Sequence, residues 1–198
     1  MLLWICFVLR AVFYACALPL WEGADEYVHY ARIEYLATEH REPSRSTPLP
    51  ADVADTLTHV PARNFGMSYD EFWKLTPAQR QAGFPGPKTS IYEAQQPPLF
   101  YWLLAPMERF MRATPLAARV IWLRLACVLM ASACVPVGFL MARRVLSQTA
   151  PALGATALIA AMPVLTFTAT HVSNDALAIA LGRWWRCWRC ASSPARAA

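Results

Sequence analysis

Apolar and polar stretches alternate along this chain at lengths that fit membrane-scale helices. Residues 2–20 are apolar apart from Arg10, close to the ~20 residues a helix needs to cross a bilayer. Residues 120–142 form a second apolar run around Arg124 and stop at Arg143-Arg144. Residues 150–170 form a third, with no charge, and a fourth opens at 175–182. Pro136 and Pro163 fall inside the second and third runs, where they kink a helix and free a carbonyl for a neighbour to satisfy. The pattern predicts an all-α integral membrane fold with three to four transmembrane helices: about 2–21, 120–142, 150–170, and the start of one at 175–182. A cleaved signal peptide is the rival reading of the first run, on the A-x-A-like Ala15-Cys16-Ala17. The lack of a charged leader and the position of Arg10 favour an uncleaved helix.

Between the first two runs lies a long polar stretch, 22–118, with 11 prolines. So long a connection is usually functional or carries its own elements. Residues 25–39 (DEYVHYARIEYLATE) read as a helix with Asp25 at its positive end. Asp25, His29 and Arg32 share one face, and Val28, Ala31 and Tyr35 another. Ser68 to Glu71 has capping-box spacing, and Thr76-Pro77 can start a further helix. Residues 42–50 and 83–87 read as turns or linkers. Phe65, Tyr69, Phe72 and Trp73 would give the region an apolar face. Residues 98–111 are too short to span and carry Pro106 and Glu108, so they predict a helix at or dipping into the membrane interface.

Composition and charge sharpen this partition. The chain of 198 residues is 57% hydrophobic, unusually apolar for a soluble domain of this size. Of its 13 acidic residues, 12 lie between positions 22 and 108, and the other is Asp175. By the positive-inside rule Arg143-Arg144 stays cytoplasmic. Counting helices back puts the Met1 end inside, 22–118 outside, and Asp25, Glu93 and Asp175 on one side. The expected location is the inner (plasma) membrane with the 22–118 loop extracytoplasmic. The net charge of +5 comes without a basic stripe interleaved with aromatics, so nucleic acid is not an expected partner. Neither G-x-G-x-x-G nor a Walker A sequence occurs. Cys6, Cys16, Cys127 and Cys134 read as small hydrophobes in apolar stretches. Cys187 and Cys190 have C-x-x-C spacing but no second ligand pair for zinc.

Carboxylates at a membrane edge are hard to desolvate, and so tend to mark sites. Asp25 stands just past the first apolar run, where a lipid carrier and a polar acceptor can meet, and suits a general base. A solvated N-cap is the plain alternative. Glu93 precedes Gln95-Gln96-Pro97-Pro98, whose Pro-Pro pair fixes an extended backbone before Phe100-Tyr101-Trp102. That stretch reads equally as a rigid lead-in to belt aromatics. Asp175 either helps hold a metal or phosphate or caps the fourth helix. His29 and Arg32 are phosphate-facing candidates or solvated side chains.

Taken together, the first helix, Asp25-Glu26, a helical loop, Pro97-Pro98-Leu99-Phe100-Tyr101, an Arg-containing helix and Asn174-Asp175 resemble the start of a GT-C type membrane glycosyltransferase, of the protein O-mannosyltransferase and aminoarabinose-transferase group. The resemblance covers residues 1–182. It implies sugar transfer from a polyprenyl-phosphate carrier to an extracytoplasmic acceptor, with membrane lipid and that donor as partners. It implies Asp25, after the first helix, and Glu93, before the Pro-Pro-Leu stretch, as the catalytic carboxylates; beside them Glu26, His29, Arg32, Gln96 and Asp175 are the candidate substrate-binding residues. Some members use a divalent metal, which leaves that cofactor open, and the partner chain is unknown. Members of the group are much longer, so this chain reads as an N-terminal part. Residues 183–198 (RWWRCWRCASSPARAA) read as a frameshifted tail or as a short basic-aromatic anchor. A non-catalytic membrane scaffold is the alternative function. A small transporter is disfavoured, because only Arg10 lies deep inside a span.

Overall fold

The computed structural model describes residues 1–61, 67–82 and 90–182. Phe65, the expected turn at 83–87, and the tail at 183–198 with Cys187 and Cys190 lie outside the described residues. Among the described residues the regular elements are all helices, with one isolated antiparallel bridge between Pro48 and Ser90. The chain divides into two compact units, with the boundary inside a single helix between Arg124 and Leu125.

The first unit comprises Met1–Cys16, Leu125–Thr170 and the described residues from Asp175 onward. Helix α1 is Leu2–Ala17; Pro19 follows and cannot extend it. At 16 residues it measures about 24 Å, shorter than the expected 2–21 and than a typical ~30 Å hydrocarbon core. Phe7, Ala11 and Ala15 form its buried stripe at i, i+4, i+8. Leu2, Leu9 and Phe13 are exposed on its other faces.

Helices α7 (Leu116–Ser132) and α8 (Cys134–Leu146) follow one another with a single-residue break. Pro136 accounts for the break, since it has no N–H for the Ser132 carbonyl. Taken as one helix, Leu116–Leu146 runs for 31 residues and is long and apolar enough to cross a membrane. It exceeds the expected 120–142 at both ends. Arg143 and Arg144 sit in the last turn of α8, where cations complement the helix dipole. A two-residue link, with Ser147 in the left-handed region at φ 57°, leads into α9 (Thr149–Ala161), which packs on α8. Ala152, Thr156 and Ala160 on α9 and Gly138 on α8 are buried, the small residues that let helices approach closely.

The third expected span is broken. Helix α9 ends, Pro163 starts α10 (Pro163–Ala169), and the axis bends by 60°. Arg10 explains how the break is tolerated. Its guanidinium donates to the carbonyls of Ala160 (2.5 Å) and Ala161 (3.4 Å) and to the Thr166 hydroxyl. An arginine within an apolar helix thus serves the orphan carbonyls of another helix end.

The second unit, Ala17–Arg124 with His171–Asn174, is built around α2 (Glu26–Glu39). Helix α2 is buried nearly all round, including Tyr27, Val28, Tyr30, Ile33 and Leu36. It packs on α6 (Leu99–Phe110) and on a short 3-10 turn, Tyr92–Gln95. The smaller helices are α3 (Ala51–Leu57), α4 (Tyr69–Lys74) and α5 (Pro77–Ala82). The Ser68–Glu71 capping box forms as the spacing predicts. Thr76 and Gln79 exchange a similar pair of bonds at the start of α5. Trp21 is buried, leans on Tyr30 at 5.5 Å and donates its indole N–H to Thr56. At Gly23 a Cβ would come within 2.6 Å of the His171 ring, so the close approach there requires glycine.

Candidate functional site

The turn between α1 and α2 sets Asp25 and Glu26 side by side and gives them opposite environments. Glu26 is fully buried. Arg124 grips it through two bonds, Nε to Oε1 at 2.8 Å and Nη2 to Oε2 at 2.7 Å. The Val172 N–H adds a third at 3.0 Å. Arg124 also donates to the Leu18 and Pro19 carbonyls, at 2.8 and 2.7 Å. A desolvated carboxylate held by a bidentate guanidinium and a backbone N–H is oriented and closed off.

Asp25 differs in every respect. It is half-buried and sits at φ 57°, ψ 14°, a left-handed conformation uncommon for a residue other than glycine, though aspartate tolerates it better than most. It occupies the N-cap of α2, yet its side chain makes no capping bond. Instead the carboxylate accepts the hydroxyl proton of Tyr92. The Tyr92 phenol is pushed well above the ordinary range, first by burial and then by its hydrogen bond to Asp25. It therefore stays protonated and keeps donating.

Glu93 is next in the chain and half-buried. Its carboxylate accepts from Gln96 at 2.8 Å and from Gln95 at 3.4 Å. Arg32 fixes the turn that carries Tyr92 and Glu93. Its Nη1 donates to the Glu93 and Gln96 carbonyls at 3.1 and 2.9 Å. Its Nη2 and Nε hold Glu42, and the guanidinium lies 3.9 Å over the Tyr101 ring. His29 is buried with Nδ1 2.8 Å from the Tyr101 hydroxyl. Burial raises the Tyr101 phenol, with Arg32 opposing. His29 and Arg32 are thus packed side chains, and the solvated alternative does not hold for either. Gln96 accepts from Asn174 at 3.3 Å. Asp175 is exposed at the start of the helical residues 175–182 and belongs to the first unit.

Asp25, Tyr92, Glu93, Gln96 and Asn174 therefore gather within the second unit, with Arg32 behind them as a clamp. What the arrangement offers chemically is the Asp25 carboxylate, not used in helix capping and held by one neutral donor. Among the described residues no group of three or more His, Cys, Asp or Glu side chains can hold a metal ion.

A second polar cluster is absent from the sequence reading. Arg119, at the start of α7, bonds Glu108 on α6 (2.5 Å), Glu34 on α2 (3.0 Å) and Asp52 on α3 (2.6 Å). The Tyr30 hydroxyl also donates to Glu108, at 2.9 Å. Burial raises the Glu34 carboxyl, and its bond to Arg119 opposes that. The available signal was Glu108 itself, in register with the apolar face Phe100, Tyr101, Leu104, Ala105. A charge on the buried face of an amphipathic helix requires a partner.

No family model, no curated protein and no solved structure matches the chain.

Proposed function

We propose that this chain is the N-terminal part of a membrane-embedded glycosyltransferase that moves a sugar from a polyprenyl-phosphate carrier to an extracytoplasmic acceptor. The observation that carries the reading is the split between the two neighbouring carboxylates: Glu26 sequestered by Arg124, Asp25 turned out of its helix and presented by Tyr92. In the proposed reaction Asp25 takes the proton of the acceptor hydroxyl as its oxygen attacks the anomeric carbon. The bond from that carbon to the phosphate oxygen breaks, and the lipid phosphate leaves with the electron pair. Tyr92 orients Asp25, Glu93 and Gln96 line the site, and Glu26, His29 and Arg32 hold its walls. The apolar lengths of Leu116–Leu146 and of the bent pair α9–α10 support a chain that crosses the membrane more than once, with Arg143 and Arg144 cytoplasmic.

The test is transfer by the full chain in proteoliposomes, from a panel of hexosyl and pentosyl polyprenyl phosphates. Asp25→Asn is expected to lower the rate by about 10²–10⁴-fold with normal membrane insertion; an unchanged rate overturns the assignment. A membrane scaffold is the second reading. It is favoured by Glu26, His29 and Arg32 all being engaged internally, and it predicts normal membrane insertion with no transfer that depends on Asp25.

A further inference from the structure

Helix α6 has two faces, and among the described residues only one of them is buried. Phe100, Tyr101, Leu104, Ala105 and Glu108 are buried. On the opposite side Leu99 (53% exposed), Trp102 (43%), Leu103 (52%) and Phe110 (91%) stand open, with Pro106 exposed between them. At 100° per residue these five positions fall within an arc of about 100°, one continuous apolar stripe. A stripe of that kind on a short helix beside polar loops marks an interaction surface.

Continuity with the membrane-length helix says what covers it. Leu116 begins the Leu116–Leu146 run. From Phe110 to Leu116 is six Cα steps, at most about 21 Å if fully extended. The link is in fact turned back on itself, with Thr114 N–H and Oγ1 both donating to the Met111 carbonyl, at 2.8 and 2.7 Å. The end of α6 is therefore held near the start of the long helix. The side chains suit that depth. Trp102 exposes its ring while its indole N–H is bonded to Glu42 at 2.7 Å, the amphipathic arrangement of a membrane-interface tryptophan. Arg109 lies beside the stripe and Arg112 just past the helix, both exposed, as anionic headgroups would require.

We propose that α6 lies in the plane of the interface, with Leu99, Trp102, Leu103, Pro106 and Phe110 in the glycerol and upper acyl region and Arg109 and Arg112 on anionic headgroups. This rests on the reading that Leu116–Leu146 crosses the bilayer, and it deepens that reading by naming the face of the second unit that lipid covers.

The test places the native full chain in nanodiscs of phosphatidylglycerol and phosphatidylethanolamine. Each carries a trace of a diazirine lipid with the reactive carbon either at the glycerol level or at the acyl terminus. Labelled residues are mapped by peptide mass spectrometry. The shallow probe is expected to label Trp102, Leu103 and Phe110, and the deep probe Leu129, which is exposed on α7. Shallow labelling of α6 should fall in discs of phosphatidylcholine alone; unchanged labelling there overturns the headgroup assignment. If α6 is untouched while Leu129 is labelled, something other than lipid covers the stripe and the proposal fails with the span intact. Deep labelling of Phe110 contradicts an in-plane helix. If neither probe reaches Leu129, the crossing itself is wrong, and the proposal falls with it.

Discussion

Replacing Arg124 by alanine would strand the fully buried Glu26 carboxylate. Breaking a buried pair by removing one partner costs about 3–5 kcal/mol, so Arg124→Ala should lower the thermal midpoint in detergent more than any single surface change. Adding Glu26→Gln to that variant should recover part of the loss, because the stranded charge is gone. Glu34 makes the opposite kind of prediction. Burial holds its carboxyl above the ordinary value, so it takes up a proton more readily folded than unfolded. Its contribution is fully present below the unfolded value, near 4.3, and is lost as pH rises through the raised folded value. Glu34→Gln should therefore flatten the fall in stability between weakly acidic and neutral pH, leaving Asp52, Glu108, Arg119 and Tyr30 in place. A melting series across that range checks the sign: an unchanged slope contradicts it. At this scale Asp25 was legible from its place after an apolar run. Its pairing with Tyr92, 67 residues on, was not, because no local pattern encodes which phenol meets which carboxylate. The same holds for Arg124 and Glu26, 98 residues apart.

Helices with strong local signals form where the pattern puts them: α2 from Asp25 at its start and the two faces that follow, α4 from its capping box, and α6 between Pro98 and Met111. Ser68→Ala should remove about 1 kcal/mol of that capping, read as faster amide exchange in α4 alone. Helix α3 was missed. Its seven residues are too few to show a period, and its only cues are Asp52 in the first turn and the i, i+4 pair Val53 and Leu57. The apolar runs were legible as helices, but their ends and breaks were not. The first run stops at Ala17 because of Pro19, the second is longer than its most apolar stretch, and the third is bent at Pro163. Arg10, which the sequence marks as costly without showing its partners, serves the carbonyls at that bend. Arg10→Leu should leave the Ala160 and Ala161 carbonyls unserved and lower the stability of the first unit, whereas Arg10→Lys should retain part of it.

For the molecule as a whole, an all-helical chain with a membrane-length helix followed from apolar length and charge placement, two signals that need no tertiary information. The division into two units, cut inside α7, did not, since the helix reads as unbroken there. Sidedness is the whole-molecule consequence most open to test. With the six native cysteines replaced by alanine, cysteine at Ser46 should react with a membrane-impermeant maleimide from outside right-side-out spheroplasts, and cysteine at Ser147 only after lysis. The reverse pattern would put Asp25 in the cytoplasm, away from any extracytoplasmic acceptor.

The most direct measurement of the proposed chemistry is chemical rescue at position 25. Full-length Asp25→Ala in proteoliposomes should transfer sugar from its polyprenyl-phosphate donor at a rate about 10²–10⁴-fold below wild type. Added formate should restore part of that rate in a saturable way, by supplying the missing carboxylate. Transfer by Asp25→Ala at the wild-type rate without formate would contradict Asp25 as the base.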